Sequence, residues 1–341
     1  MLKRSDLLSA RVPRYTSYPT APHFHAGVTA GTYRFWLAGL PKGMPLSLYL
    51  HIPFCDTLCW FCVCHSSVVN HYEPVAAYLE TLLKEIETTA ALVGPDHPVT
   101  HIHWGGGSPT ILPPKDIVRL GAALYRHFAV SRKIEFAVEI DPRGLSDATV
   151  AALAEVGVNR ASIGVQDESE KVQRAINRVQ PHAVTASAAA RLRKAGIKAI
   201  NVDLIYGLPY QTKDDVAHTI DGMLELKPQR LAVYGYAHVP QFRKNMALID
   251  AKTLPGAEAR LEQFELTHEL LSAAGYVPVG LDHFALPEDG LALALKAGTL
   301  ARNFEGYTDD GAPALVGLGV AMGPIIASIH EKRDEFRKAL T

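Results

Sequence analysis

Apolar residues along the chain follow two alternating patterns. Short continuous runs at residues 47–52 (SLYLHI), 100–104, 134–140, 160–165, 199–205 and 231–236 read as buried strands. Between them, residues 75–93, 115–128, 146–155, 168–195 and 213–226 carry apolar positions at helical spacing. Thr212 and Asp215 have the spacing of a capping box at the start of the last of these helices. Apolar strands alternating with helices predict a parallel sheet, covered by helices on both faces or closed into a barrel. The GxGxxG turn of a dinucleotide fold is missing after the first strand. Six βα-type units in series therefore predict an α/β fold, a partial (β/α)6-type, TIM-like barrel. Residues 277–281 can add a further strand. Fixed-period repeats of the kind that build solenoids are absent.

One stretch tests whether the chain is soluble. Residues 311–329 contain no charged side chain, nearly the length of a membrane span. They also contain Gly311, Gly317, Gly319, Gly323, Pro313 and Pro324, and breaks of that kind need neighbours to satisfy the freed backbone groups. A buried strand and glycine loop is expected here, with no stable membrane insertion.

Composition narrows the function classes. The 341 residues include 34 basic and 35 acidic side chains, for a formal net charge of -1, which argues against a dedicated nucleic-acid binder. Apolar residues at 48% and charged residues at 20% are ordinary for a globular chain, one long enough to fold without disulfides. The N-terminal residues hold no apolar run of signal-peptide length, so a cytoplasmic location is expected.

Polar residues collect where the predicted strands end. Glu139, Asp141 and Arg143 end the third strand, Gln166 and Asp167 the fourth, and Asp203 lies near the end of the fifth. Gly105, Gly106 and Gly107 follow the second strand. Parallel α/β barrels build their active sites on that face. A single such residue would be an ordinary cap or turn; with the cysteine loop that follows the first strand, five successive strands deliver them to one end and predict a site.

All four cysteines lie in the loop after the first strand: Cys55, Cys59, Cys62 and Cys64. Disulfide frameworks spread their cysteines so that bridges close loops. Structural zinc normally uses two separated knuckles, and no second one exists here. An iron–sulfur cluster fits better: three thiolates from one tight loop leave one iron open for a ligand. Cys64, one residue beyond Cys62, is poorly placed for the fourth corner.

Cys55-x3-Cys59-Trp60-Phe61-Cys62 after a strand resembles the motif of the radical S-adenosylmethionine superfamily. In that superfamily S-adenosylmethionine chelates the open iron and is cleaved to a 5′-deoxyadenosyl radical. The likeness narrows further. YTSYPTA (15–21), HIPFC (51–55), HWGGGSPT (103–110), EIDPRG (139–144), GVQD (164–167), QRAINR (173–178), DLIYGLPYQT (203–212), YAHVP (236–240), DHFALPEDGLALA (282–294) and RNFEGYT (302–308) occur in that order. Together they resemble the oxygen-independent coproporphyrinogen III oxidase family over residues 15–320.

The resemblance implies a [4Fe-4S] cluster on Cys55, Cys59 and Cys62, and two molecules of S-adenosylmethionine. Tyr49, Gly106 and Glu139 match contact positions for the first. Phe61, Gly107, Ser108, Gln166, Arg178, Asp203 and Ala237 match those for the second. Cys64 is implied to be catalytic. The implied substrate is coproporphyrinogen III, whose two propionates become vinyl groups of protoporphyrinogen IX in heme biosynthesis. An external electron donor, a final electron acceptor and a monomeric enzyme are expected. The basic arm with Lys3, Arg4, Arg11 and Arg14 could meet a tetracarboxylate or simply be solvated. Two other readings stay open: a heme chaperone of the same superfamily, and a radical paralogue acting on another tetrapyrrole or with partial activity.

Expected organisation is an N-terminal arm at 1–46, a catalytic barrel at 47–320 and a short divergent tail at 321–341. The family usually continues into a helical C-terminal domain, which is expected to be missing here. Two further departures concern the site. Val63 stands where the family usually has glycine, and would be strained if the position needs φ > 0. Glu305 stands where the family usually has glutamine.

Overall fold

The computed structural model describes residues 29–303, 305–320 and 326–327. The YTSYPTA block, the basic arm and most of the tail at 321–341 lie outside the described residues. At the centre is a ten-stranded sheet. β1 (Leu46–Ile52), β2 (Pro98–Gly106), β3 (Ala129–Ile140), β4 (Arg160–Gln166), β5 (Ala199–Tyr206) and β6 (Arg230–Gly235) lie side by side in chain order, all parallel. β7 (Val277–Val279) and β8 (His283–Ala285) extend the β6 side as antiparallel strands. β9 (Ala301–Asn303) and β10 (Gly306–Thr308) form a separate hairpin. β11 (Ala314–Leu318) returns to pair with β1 as a seventh parallel strand, and β12 (Ile326–Ala327) follows it antiparallel. The two flanks end on different strands, so the sheet is a partial barrel, as expected. β11 is buried along its whole length and is the strand expected in the charge-free stretch. No helix among the described residues is long and apolar enough to cross a membrane.

The helices form where the sequence offers caps. They are α1 (Ala30–Ala38), α2 (Glu73–Val93), α3 (Pro114–His127), α4 (Asp147–Glu155), α5 (Glu170–Ala175), α6 (His182–Lys194), α7 (Lys213–Glu225), α8 (Ala257–Ala273) and α9 (Gly290–Ala297). Thr212 and Asp215 make the predicted capping box of α7 in both directions. Ser146 caps α4 by accepting from the Thr149 amide at 3.0 Å. The helical stretch expected over 168–195 is two helices, α5 and α6. Asn177 takes a left-handed conformation (φ 54°) between them, and Pro181 starts α6.

Strand side chains alternate between two faces. Ile102 and Trp104, Phe136 and Val138, Ile163 and Val165, Val202 and Leu204 point to the helices and form the main core. Trp104 meets Phe136 edge-on at 5.1 Å. Leu37 of α1 is buried in this core, so part of the expected N-terminal arm belongs to the barrel. The other face was not legible as continuous apolar strand: it carries Ser47, Tyr49 and His51 on β1, His101 and His103 on β2, Glu135 and Glu139 on β3, Arg160 and Ser162 on β4, Asn201 and Asp203 on β5, and Arg230 on β6.

Burying that polar face demands partners. At the N-terminal ends of the strands they come from the segment that follows α8. Asp289, the cap of α9, accepts from Arg230 Nε at 2.5 Å and lies 3.5 Å from Arg160. Arg160 also donates to Glu135 at 3.1 Å and to Asn201 at 3.0 Å. Asp309 takes the other side of the Arg230 guanidinium at 3.1 Å. Asp310 pairs with His101 at 2.8 Å and accepts from Ser47. Without Asp289, Arg230 keeps Asp309 and Arg160 keeps Glu135 and Asn201, so the loss is that of charge-assisted hydrogen bonds and not of an unpaired buried charge. Asp289→Ala is therefore expected to lower the unfolding free energy by about 1.5–3 kcal/mol, read by denaturant titration; a loss below about 1 kcal/mol would show that water replaces the carboxylate.

Candidate active site

The cysteine loop is fastened at its base. Phe54–Cys55 pairs in parallel with Ser67–Val68, and the Val69 amide donates to the Cys55 carbonyl at 3.1 Å. Its middle is held from elsewhere in the chain. Trp60 and Phe61 pack against a small separate core of Val172, Ile176, Leu208, Tyr236, Met246 and Ile249. Asn177 donates to the Leu58 carbonyl at 2.8 Å, and the Trp60 amide donates to the Ile176 carbonyl at 3.0 Å. The Asn245 side-chain amide faces three carbonyls, Cys62 at 2.9 Å, Trp60 at 3.1 Å and Cys59 at 3.4 Å. Nothing in the sequence singled out Asn245, which lies in the short turn Lys244–Leu248, far along the chain from the loop.

Cys59 is buried, Cys55 and Cys62 half-buried, and Cys64 exposed. Burial, with Cys62 and Cys59 as neighbours, pushes the Cys55 thiol up to about 12. A hydrogen bond with Cys64 draws Cys62 down to about 7, while Cys64 itself moves the other way. Among the described residues no preformed group of three or more His, Cys, Asp or Glu stands ready to take a metal ion. The donor chemistry nevertheless fits an iron–sulfur cluster. Three thiols on one stapled loop influence one another electrostatically, and a cationic group is what would let all three ionise together. Arg143 and Arg178 flank Cys59, with guanidinium nitrogens 3.6 and 3.5 Å from its sulfur.

Beside the loop, the end of β2 forms a cradle. Gly106 has φ 118°, a conformation that favours glycine. A Cβ at Gly105 would come within 2.6 Å of the Tyr49 hydroxyl, and one at Gly107 within 2.5 Å of the Phe54 carbonyl oxygen. The Gly106 amide donates to Glu139 Oε2 at 3.0 Å. The glycines thus let the end of β2 pack directly against Tyr49, His51, Phe54 and Glu139, which any Cβ would displace.

The predicted residues converge on this end of the sheet. Tyr49 is buried and stacks on His103 with ring centroids 5.5 Å apart. Ser108 is buried and shares a hydrogen bond with Thr110 at 3.0 Å. Gln166 ends β4 with φ 77°, a costly conformation for a residue with a side chain. Arg178 is no surface ion pair. It is buried, and it donates to the Gly164 carbonyl at 2.7 Å and to Asp141 at 3.2 Å, while its Nε has no partner. Burial would raise Asp141, but Arg143 and Arg178 hold it down to about 2. Asp203 accepts from Ser162 at 3.0 Å, and Ala237 is exposed just past β6. Two departures resolve. Val63 does not have a positive φ, and its side chain is half exposed, so the β-branch is accommodated. Glu305 reaches His103 Nδ1 at 2.7 Å.

A cluster-binding loop and a glycine cradle at the C-terminal edge of a partial parallel barrel define a radical S-adenosylmethionine enzyme. Residues 49–222 match the Radical SAM superfamily. The oxygen-independent coproporphyrinogen III oxidase of Paracoccus denitrificans is 47% identical over 320 residues, covering 94% of this chain and 71% of that protein. The enzyme of the same description from Bradyrhizobium diazoefficiens is 50% identical over 311 residues, 91% of this chain and 69% of the relative. The solved coproporphyrinogen III oxidase of Escherichia coli, described as a radical SAM enzyme, superposes with a TM-score of 0.86 at 40% identity, covering 90% of this chain and 70% of that one. The chain belongs to the oxygen-independent coproporphyrinogen III oxidase family.

Two predictions follow from the geometry. Asn245→Ala removes the two N–H donors that three loop carbonyls share, each hydrogen bond contributing about 1 kcal/mol. It is expected to lower the iron and sulfide retained per chain after anaerobic reconstitution, with far-UV circular dichroism unchanged. Asp203 supplies the second. Burial, reinforced by Glu139, pushes its carboxyl up to about 7, against about 4 in an unfolded chain. The folded state then binds more protons between these values, so stability falls as pH rises through that window. Asp203→Asn is expected to be more stable than the parent at about pH 8, by on the order of 1–3 kcal/mol, the difference vanishing near about pH 4. Denaturation at the two pH values reads it.

Proposed function

We infer that this chain catalyses the oxygen-independent oxidative decarboxylation of coproporphyrinogen III, turning two propionates into vinyl groups and giving protoporphyrinogen IX. The observation that carries the reading is the meeting of the three-thiol loop and the Gly105–Gly107 cradle at one end of a polar concave face. When bound, the cluster and S-adenosylmethionine supply the 5′-deoxyadenosyl radical that takes a hydrogen from the propionate β-carbon.

In this reading Cys55, Cys59 and Cys62 hold the cluster. Tyr49, Gly106 and Glu139 hold a first S-adenosylmethionine. Phe61, Gly107, Ser108, Gln166, Arg178, Asp203 and Ala237 hold a second. Glu139 suits an amino group because its carboxylate is already oriented by a backbone amide. Asp203 suits a ribose hydroxyl or an amino group, because a buried acid near its pKa can accept or donate. Arg178 keeps Asp141 and the Gly164 carbonyl fixed while its Nε stays without a protein partner. The apolar core around Trp60 and Phe61 shields the middle of the loop at the buried Cys59, while residues 56–58 and 63–65 stay exposed. Each propionate loses CO2 and one electron, so a final acceptor is required, as is an external donor to reduce the cluster. The enzyme is proposed to work as a cytoplasmic monomer, and Cys64 to serve turnover rather than cluster binding.

The test is an anaerobic assay with coproporphyrinogen III. Cys59→Ala is expected to lose cluster absorbance, S-adenosylmethionine cleavage and product together. Cys64→Ala is expected to keep the cluster and lose protoporphyrinogen formation. Wild-type protein that cleaves S-adenosylmethionine but transfers heme, without decarboxylating the substrate, would favour the chaperone reading instead.

A further inference from the structure

Three residues proposed for the second S-adenosylmethionine site meet at one small position. Gly164 on β4 lies opposite Asp203 of β5, and the register slips between Gly164 and Gln166, leaving Val165 as the extra residue of a β-bulge. A Cβ at Gly164 would lie 3.1 Å from Gln166 Nε2 and 3.2 Å from Arg178 Nη2. Both side chains thus fit where they do because residue 164 has no side chain of its own. Gln166 takes φ 77°, and its side chain hydrogen-bonds to none of the described residues. The backbone on either side of it is held by buried amides. The Gly164 carbonyl accepts from Arg178 Nη2 at 2.7 Å and from Gln180 Nε2 at 3.1 Å. Gln173 Nε2 donates to the Asp167 carbonyl at 2.8 Å, and its Oε1 accepts from the Gln180 amide at 2.8 Å. Gln211 Nε2 donates to the Asp167 carboxylate at 2.6 Å. Asp167 and the three glutamines that hold it and Gly164 are all buried.

We propose that Gly164, with Gln180 and Gln173 behind it, is the positioning element of the second S-adenosylmethionine site: it fixes a strained bulge so that Gln166 and Arg178 are aimed before the ligand arrives. The proposal rests on the reading of Gln166, Arg178 and Asp203 as contacts to that cofactor, and extends it to residues that make none. A left-handed glutamine persists only where its surroundings impose the conformation. Here the chain two residues before it is held through the Gly164 carbonyl, and the residue after it through both the carbonyl and the carboxylate of Asp167. An amide side chain suits this task because one end donates while the other accepts, which lets Gln173 bridge Asp167 to Gln180. The same Gly164 carbonyl, together with Asp141, fixes the plane of the Arg178 guanidinium. Side chains ordered in advance lower the entropy cost of binding. Tyr49, Gly106 and Glu139, proposed for the first site, lie on β1, β2 and β3, so a change at Gly164 reaches the second site selectively.

The experiment is equilibrium dialysis of S-adenosylmethionine against anaerobically reconstituted holoenzyme without reductant, so that the ligand is not cleaved. Bound equivalents per chain are counted, with iron content and the urea unfolding midpoint measured on the same protein. Wild type is expected to bind two equivalents. In Gly164→Ala the atoms that must give way are the far ends of the Gln166 and Arg178 side chains. This variant should keep its iron and its midpoint, and bind the first equivalent as wild type does. Its second equivalent should weaken roughly tenfold, as the lost alignment of one charge-assisted hydrogen bond allows. Gln180→Met keeps the length of the side chain but not the donor to Gly164; its second equivalent should weaken less, because Arg178 still holds the carbonyl. Gln166→Gly adopts the left-handed backbone freely, so its midpoint should hold or rise while the second equivalent is lost. A residue serving the fold alone does not separate stability from binding in this way. Unchanged second-site affinity in Gly164→Ala or in Gln180→Met overturns the proposal. So does a loss in Gly164→Ala that falls equally on both equivalents with a lowered midpoint. Wild-type holoenzyme that binds a single equivalent overturns the two-site reading along with it, and is distinguished because the failure appears before any substitution.

Discussion

The concave face of the sheet is charged, and the rest of the structure depends on how each charge finds a partner. A parallel sheet with helices on one side obtains its stability there, from Ile102, Trp104, Phe136, Val138 and their neighbours. The other side carries arginines, histidines and carboxylates that pure burial would forbid. At the strand N-terminal ends the conflict is resolved within the chain: Asp289, Asp309 and Asp310 neutralise Arg230, Arg160 and His101. At the C-terminal ends it is resolved only in part. The buried Arg178 Nε has no partner, and Asp203 holds its proton up to about 7. Arg160 at the N-terminal floor also keeps an unpartnered Nε, so what sets the C-terminal rim apart is its acids: Asp203 and Asp167 are both pushed up to about 7 by burial.

Backbone strain is shared between the two ends. Among the described non-glycine residues Lys227 takes positive φ before β6, at the floor, while Gln166, Asn177 and Tyr210 do so on the rim side, Gln166 ending β4 and Asn177 holding the cysteine loop. Such conformations persist only where surrounding contacts over-determine them. Here those contacts are the β4–β5 pairing and the small core under Trp60 and Phe61. The chain trades stability for position at the sites where position matters.

The order of strands and helices was readable because half of each strand is apolar and the helices are capped by recognisable residues, such as Ser146 and the Thr212–Asp215 box. The cysteine loop and the glycines were readable because their chemistry is local in sequence. The polar half of each strand was not, since His101, Glu135 and Asn201 each look like a tolerated interruption until a register places them on one face. The split at Asn177 was masked by strong helical sequence on either side. Asn245 and the partner of Glu305 were invisible for a different reason: their meaning lies wholly in what distant segments bring to them. Glu305 could be noticed as unusual, but only the hairpin geometry shows that it faces a histidine.

The long reach of Asn245 bears on how the protein is made. Its side chain meets the Cys62 carbonyl across 183 positions of sequence, and Asn177 meets the Leu58 carbonyl across 119. A ribosome adds residues at a few to some tens per second, so the cysteine loop emerges many seconds before its clamps exist. During that interval the four thiols are tethered only by the local ladder at their base. Iron delivered then would meet an unshaped loop, and delivery after Asn245 has folded would meet a finished seat. The seat for the loop is therefore complete only once most of the barrel has been made.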